Sequence, residues 1–154
     1  MTDQEYMDIA IKISEKSKYP YGAIIVKNNK IIGRSDNNSK VSSTPFCHAE
    51  LSAIEDALKN TSQLDGLSQS NLCGTTIYST CEPCPMCMGA ILWGNISKLV
   101  YGATIEDSSK YYTTEVFLSA QSLVDNCKNR EIEIISEVKR EKAIEILKGK
   151  RKKL

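Results

Sequence analysis

The sequence predicts an α/β protein, a three-layer α-β-α sandwich around one mixed sheet. Three observations predict it. Short runs rich in Ile, Val and Tyr alternate with longer segments of helical periodicity, and the first two runs are separated by little more than Asn28-Asn29. The length of 154 residues, with 41% hydrophobic and 25% charged residues, suits one soluble domain with one core. No internal repeat is visible, so residues 1–154 read as one domain ending in a basic tail at about 148–154.

The opening segment, about 3–18, carries Tyr6, Ile9, Ala10 and Ile13 at helical spacing, with Thr2 or Asp3 placed to cap it. Tyr19-Pro20-Tyr21-Gly22 interrupts that pattern. Ala23-Ile24-Ile25-Val26 and Ile31-Ile32 then flank Asn28-Asn29, the signature of a hairpin with a tight turn. Residues 36–47 are polar and predict a loop. A helix is expected over about 48–60, with Leu51, Ile54, Ala57 and Leu58 facing a core, and 61–74 as connection. Thr75-Thr76-Ile77-Tyr78 predicts a strand that leads into a cysteine cluster. The remaining expectations are a helix over 86–94 stopped by Gly94-Asn95, a strand at Lys98-Leu99-Val100-Tyr101, a helix over 114–125, a strand over 131–135 and a final helix over 139–148.

Composition narrows the function classes. Met1-Thr2-Asp3-Gln4-Glu5 is acidic with no apolar run behind it, and no stretch has the length of a membrane span, which predicts a cytoplasmic protein without membrane contact. The net charge of +1 includes Lys148, Lys150, Arg151, Lys152 and Lys153, so the rest of the chain is mildly acidic. Such a body argues against a broad nucleic-acid footprint, and the basic end reads as a frayed, solvated terminus. Of six cysteines, Cys47, Cys73 and Cys127 are scattered and expected to be free thiols, whereas Cys81, Cys84 and Cys87 cluster.

That cluster and the lone histidine carry the chemistry. Cys84 and Cys87 lie three residues apart at a helix start, on one face, where they can grip one cation. Pro83 and Pro85 suit the start of that helix, and a helix N-terminus favours the thiolate that ligates. His48 stands at another loop-to-helix junction, so a cation beyond the helix end can be reached by both His48 and Glu50. Three protein donors are what a catalytic Zn2+ uses, and Glu50 is then a carboxylate the metal does not need, the usual general acid/base of hydrolysis. Other readings exist: a redox C-x-x-C, the start of an iron–sulfur run that would need Cys rather than Ile at position 91, and a four-donor structural site that adds Cys81. H-x-E joined with P-C-x-x-C is more specific than either half and is the signature of zinc deaminases.

On these residues the chain resembles the cytidine-deaminase-like superfamily, in particular its branch of guanine deaminases, nucleoside deaminases and tRNA adenosine deaminases. The resemblance rests on Pro20-Tyr21-Gly22-Ala23-Ile24-Ile25-Val26, on Asn37 ahead of Pro45-Phe46-Cys47-His48-Ala49-Glu50, on the stretch from Thr80 to Ile91, and on Leu99-Val100-Tyr101-Gly102. It implies a five-stranded sheet, Zn2+ held by His48, Cys84 and Cys87, Glu50 as proton shuttle, and Asn37 hydrogen-bonded to the substrate. It also implies a homodimer with the second subunit near the active site. Phe46-Cys47 stands where Thr-Ala is often found, and residues 107–112 lack the Asp-rich segment of guanine deaminases.

Three functions follow as expectations. The first is hydrolytic deamination of a free nucleobase or nucleoside, a guanine-like purine going to xanthine and ammonia, favoured by Ile91-Leu92-Trp93 and the acidic body. The second is conversion of adenosine to inosine in a tRNA loop, favoured by the basic tail. The third is a non-catalytic zinc module, which requires a closed four-donor site. Trp93 is expected in the core, with the wall of a base pocket as the other reading.

Overall fold

The computed structural model describes residues 1–36, 44–62 and 71–151. Its elements follow in order as α1 (Asp3–Lys16), β1 (Ala23–Lys27), β2 (Lys30–Arg34), α2 (Ala49–Ser62), β3 (Thr76–Cys81) and α3 (Pro85–Trp93), then β4 (Lys98–Ala103), α4 (Ile105–Ser109), α5 (Ala120–Asp125), β5 (Glu133–Ile135) and α6 (Arg140–Arg151). The strands form one five-stranded sheet in the order β2-β1-β3-β4-β5. β1 runs antiparallel to β2 and β3, while β4 runs parallel to β3 and β5, so the sheet is mixed as expected.

Local chemistry explains most boundaries. Thr2 caps α1 in a reciprocal box, its hydroxyl accepting from the Glu5 amide and the Glu5 carboxylate accepting from the Thr2 amide. The hairpin turns at Asn28 and Asn29, whose φ of 49° and 60° are the left-handed values a tight turn requires. Strand alternation then divides the core. Ala23, Ile25, Ile77, Leu99 and Tyr101 pack with Ala53 and Ala57 of α2 and with Met88 and Ile91 of α3. Ile24, Val26, Tyr78 and Val100 face the other way, onto Tyr6, Met7, Ala10 and Ile13 of α1, with Ile146 of α6 against them. Two helical layers therefore enclose the sheet, and burying each large apolar side chain stabilises by about 1.5–3 kcal/mol. Gly33 sets the spacing of one layer: a Cβ there would lie 2.3 Å from the Ala53 carbonyl and 2.7 Å from the Ala57 Cβ.

Two expectations are corrected and one element was missed. The helix expected over 114–125 begins only at Ala120, because Ser119 takes the cap position and accepts from the Ser122 amide. Ahead of it Val116, Phe117 and Leu118 are exposed. The short α4 was not anticipated, although Thr104 and Asp107 form a capping box that marks its start. Finally, Lys148, Lys150 and Arg151 belong to α6 rather than to a frayed end, while Lys152 and Lys153 lie outside the described residues. Cations favour the last turn of a helix, and the Lys150 ammonium donates to the carbonyls of Glu15 and Ser17.

Candidate active site

The donors meet where two helices begin. His48 directly precedes α2, and Glu50 is that helix's second residue. Cys84 is the N-cap of α3, Pro85 opens the helix, and Cys87 sits one turn in. The His48 Nδ1 lies 3.6 Å from the Cys84 Sγ and 3.4 Å from the Cys87 Sγ. All three donor atoms fall within 4.8 Å of one another, the group among the described residues placed to hold a metal ion.

The spacing fits Zn2+. With Zn–S near 2.3 Å and Zn–N near 2.05 Å, the N–S edge of a tetrahedron is about 3.6 Å. Both observed N–S distances match that edge, so one ion can contact all three donors with little movement. Cys81 is not a fourth donor: it is buried away from the group and directs its Sγ to the Thr104 carbonyl at 3.8 Å. Among the described residues the donor set is therefore three, the number an open catalytic site uses and a closed structural site exceeds.

Electrostatics follow from the packing. The Cys84 thiol is pulled down to about 4, chiefly by its hydrogen bond with Cys87, with His48 adding to the effect against an opposing cost of burial. Cys87 is pushed up, by that same contact with Cys84 and then by burial. One thiolate is thus formed readily, and cation binding must release the second proton. His48 is raised, first by its contact with Cys84. Glu50, 6% exposed, is raised by burial. Its Oε2 lies 3.5 Å from the Cys87 Sγ, and its Oε1 accepts from the Ser79 hydroxyl at 2.9 Å.

The structure thus brings together His48, Glu50, Cys84 and Cys87, as the sequence led us to expect. Asn37 lies outside the described residues. Trp93 is 84% exposed at the far end of α3, which corrects its expected place in the core. Met88 and Ile91 turn inward, and a residue two positions beyond Ile91 falls on the opposite side of a helix. Cys47, Cys73 and Cys127 are free thiols, as expected.

Two neighbours escaped the sequence reading. Ser79 was hidden because its relevance depends on which face of β3 it occupies. Glu82 is the other: its carboxylate accepts from the Ile105 amide at 3.0 Å and the Ala120 amide at 2.9 Å, the first residues of α4 and α5. Its own amide donates to the Ala103 carbonyl at 2.7 Å. Only its place beside Pro83 and Cys84 hinted at a part in the site.

Fold and donor set together define a Zn2+-binding α/β domain. Residues 1–103 match the sequence profile of the cytidine and deoxycytidylate deaminase zinc-binding region, and the chain belongs to that family. It is 41% identical over 114 residues to the tRNA-specific adenosine deaminase of Buchnera aphidicola subsp. Baizongia pistaciae, covering 71% of this chain and 67% of that protein. To the guanine deaminase of Bacillus subtilis it is 41% identical over 91 residues, covering 59% of this chain and 54% of that protein. The chain thus spans about half to two thirds of the length of these two relatives. A solved structure of a tRNA:A34 deaminase, studied for A-to-I editing at the wobble position of transfer RNA, superposes with a TM-score of 0.73 at 25% identity. That superposition covers 92% of this chain and 98% of the other.

Proposed function

We propose that this chain is a hydrolytic purine deaminase in which His48, Cys84 and Cys87 hold Zn2+ and Glu50 moves the protons. The observation that carries the proposal is the placement of the Glu50 Oε2 beside the three-donor group, 3.5 Å from the Cys87 Sγ. When bound, Zn2+ in such a site lowers the pKa of a coordinated water to about 7. Glu50 accepts a proton from the attacking water and passes it to a ring nitrogen; it then takes the remaining hydroxyl proton from the attacked carbon and delivers it to the amino group, so that the C–N bond breaks and ammonia leaves. Burial raises its pKa, which suits a carboxyl that must hold a proton between these steps.

Two purine substrates are supported by different observations. Adenosine in a tRNA loop, giving inosine, is favoured by the longer alignment with a tRNA-specific adenosine deaminase and by the cationic last turn of α6. Guanine, giving xanthine, is favoured by equal identity to a guanine deaminase over a shorter stretch. Asn37 is assigned to hydrogen-bond the base in either case. A homodimer is the expected assembly, supported by α3, which carries no charged residue and exposes Met86 and Trp93.

An ammonia-release panel tests this reading. It comprises guanine, guanosine, adenine, adenosine, cytosine, cytidine and a tRNA anticodon stem-loop. One purine substrate should stand clear of the others; silence across the panel with a Zn2+-loaded protein sinks the proposal. The Asn37→Ala variant should lose affinity for the winning substrate while retaining Zn2+.

A further inference from the structure

We propose that Ser79 is a positioning residue, its hydroxyl holding one oxygen of the Glu50 carboxylate so that the other stays turned toward the metal donors. This rests on the reading of Glu50 as proton carrier and deepens it.

Ser79 sits on β3, the middle strand, paired with Ala23 of β1 and Tyr101 of β4. Strand alternation puts it on the same face as Ile77, and the neighbouring positions there are Ala23, Ile25, Leu99 and Tyr101. A serine is out of place in that company. It is 2% exposed, so its hydroxyl must find a partner inside the protein. The partner is the Glu50 Oε1, 2.9 Å away.

Geometry gives this bond a consequence. A Glu carboxylate rotates about a broad, nearly two-fold terminal torsion, so burial alone does not decide which oxygen points where. Ser79 ties Oε1 to the sheet, and Oε2 remains 3.5 Å from the Cys87 Sγ. Glu50 is carried by α2, but the plane of its carboxylate is set by a different element, the central strand. A proton carrier held from two elements meets its substrate in one orientation at every turnover.

The test uses three variants loaded with Zn2+. Ser79→Ala removes the donor, Ser79→Thr keeps it, and Ser79→Val matches threonine in shape without the hydroxyl. Ammonia release is followed against varied guanine and against a varied tRNA anticodon stem-loop, with metal content measured alongside. All three variants should bind Zn2+. The alanine and valine variants should lose about 10–100-fold in kcat with KM little changed, and threonine should restore kcat. Wild-type kcat in the alanine variant overturns the inference, and so does an equal loss in the threonine and valine variants. Crystal structures of Zn2+-loaded wild type and Ser79→Ala give a readout independent of turnover: a rotated Glu50 carboxylate supports the inference and an unmoved one overturns it. If wild type releases no ammonia from these two or from any other member of the panel, the deaminase reading fails, while the carboxylate's position still decides the role of Ser79. If the alanine variant does not fold, the threonine and valine pair decides it.

Discussion

Glu50 has almost no contact with water, faces a histidine and two cysteines, and makes no ion pair among the described residues. A carboxylate buried without a charged partner costs stability, so its presence there points to a use in chemistry. Replacing it with alanine should leave Zn2+ content intact and lower the deamination rate by about 10²–10⁴-fold; metal analysis beside ammonia release checks both halves. Cys84→Ser should instead lose the metal, and the activity with it. The four residues of the site were legible because a metal dictates residue type and local spacing, and both are visible in a linear chain. Ser79 was not, since its partner lies 29 residues away and only the folded sheet shows which side of β3 it takes.

At the scale of elements, the site depends on where α2 rests. Gly33→Ala would push its methyl into the Ala53 carbonyl and the Ala57 Cβ. Such overpacking costs about 1–3 kcal/mol, and because α2 carries Glu50 and follows His48, weaker Zn2+ binding should accompany the lower Tm. A second dependence joins α4 to α6. The Arg140 guanidinium bonds both oxygens of the buried Asp107, at 2.7 and 2.9 Å, and holds its carboxyl well below the usual range. The ionised form is therefore favoured by folding. Its contribution is complete above the ordinary Asp value of 3.8 and is lost as pH falls below it. Arg140→Ala should lower stability near pH 7, and the difference from wild type should shrink on acidification. Denaturant melts at pH 7 and pH 3 measure it. Elements with strong periodicity or a clear turn, such as α1 and the β1–β2 hairpin, were legible in the sequence. The stretch before α5 was not, because the Ser119 cap outweighs the apolar residues ahead of it.

For the whole molecule, a metal held by His48, Cys84 and Cys87 would join two helices that cover one face of the sheet, so its removal should loosen the fold as well as silence the chemistry. Free Zn2+ at a hundredfold over Kd adds about 2.7 kcal/mol to stability. For a chain of this size that is a Tm shift of about 5–10 °C, readable by calorimetry with and without a chelator. Assembly is checked by sedimentation: wild type should run as a dimer and Trp93→Glu should shift toward monomer, because the substitution puts a charge on the exposed end of α3. The layered architecture could be read from the alternation of segments. The strand β5 and the helix α6 were legible too, but α4 and the start of α5 were not, since these short helices are fixed by contacts distant in the chain.

Glu82 shows how those short helices are anchored. The groups it grips are main-chain amides, which every amino acid except proline supplies. The starts of α4 and α5 are therefore tied to the metal loop through the main chain, while the Ile105 and Ala120 side chains are themselves buried.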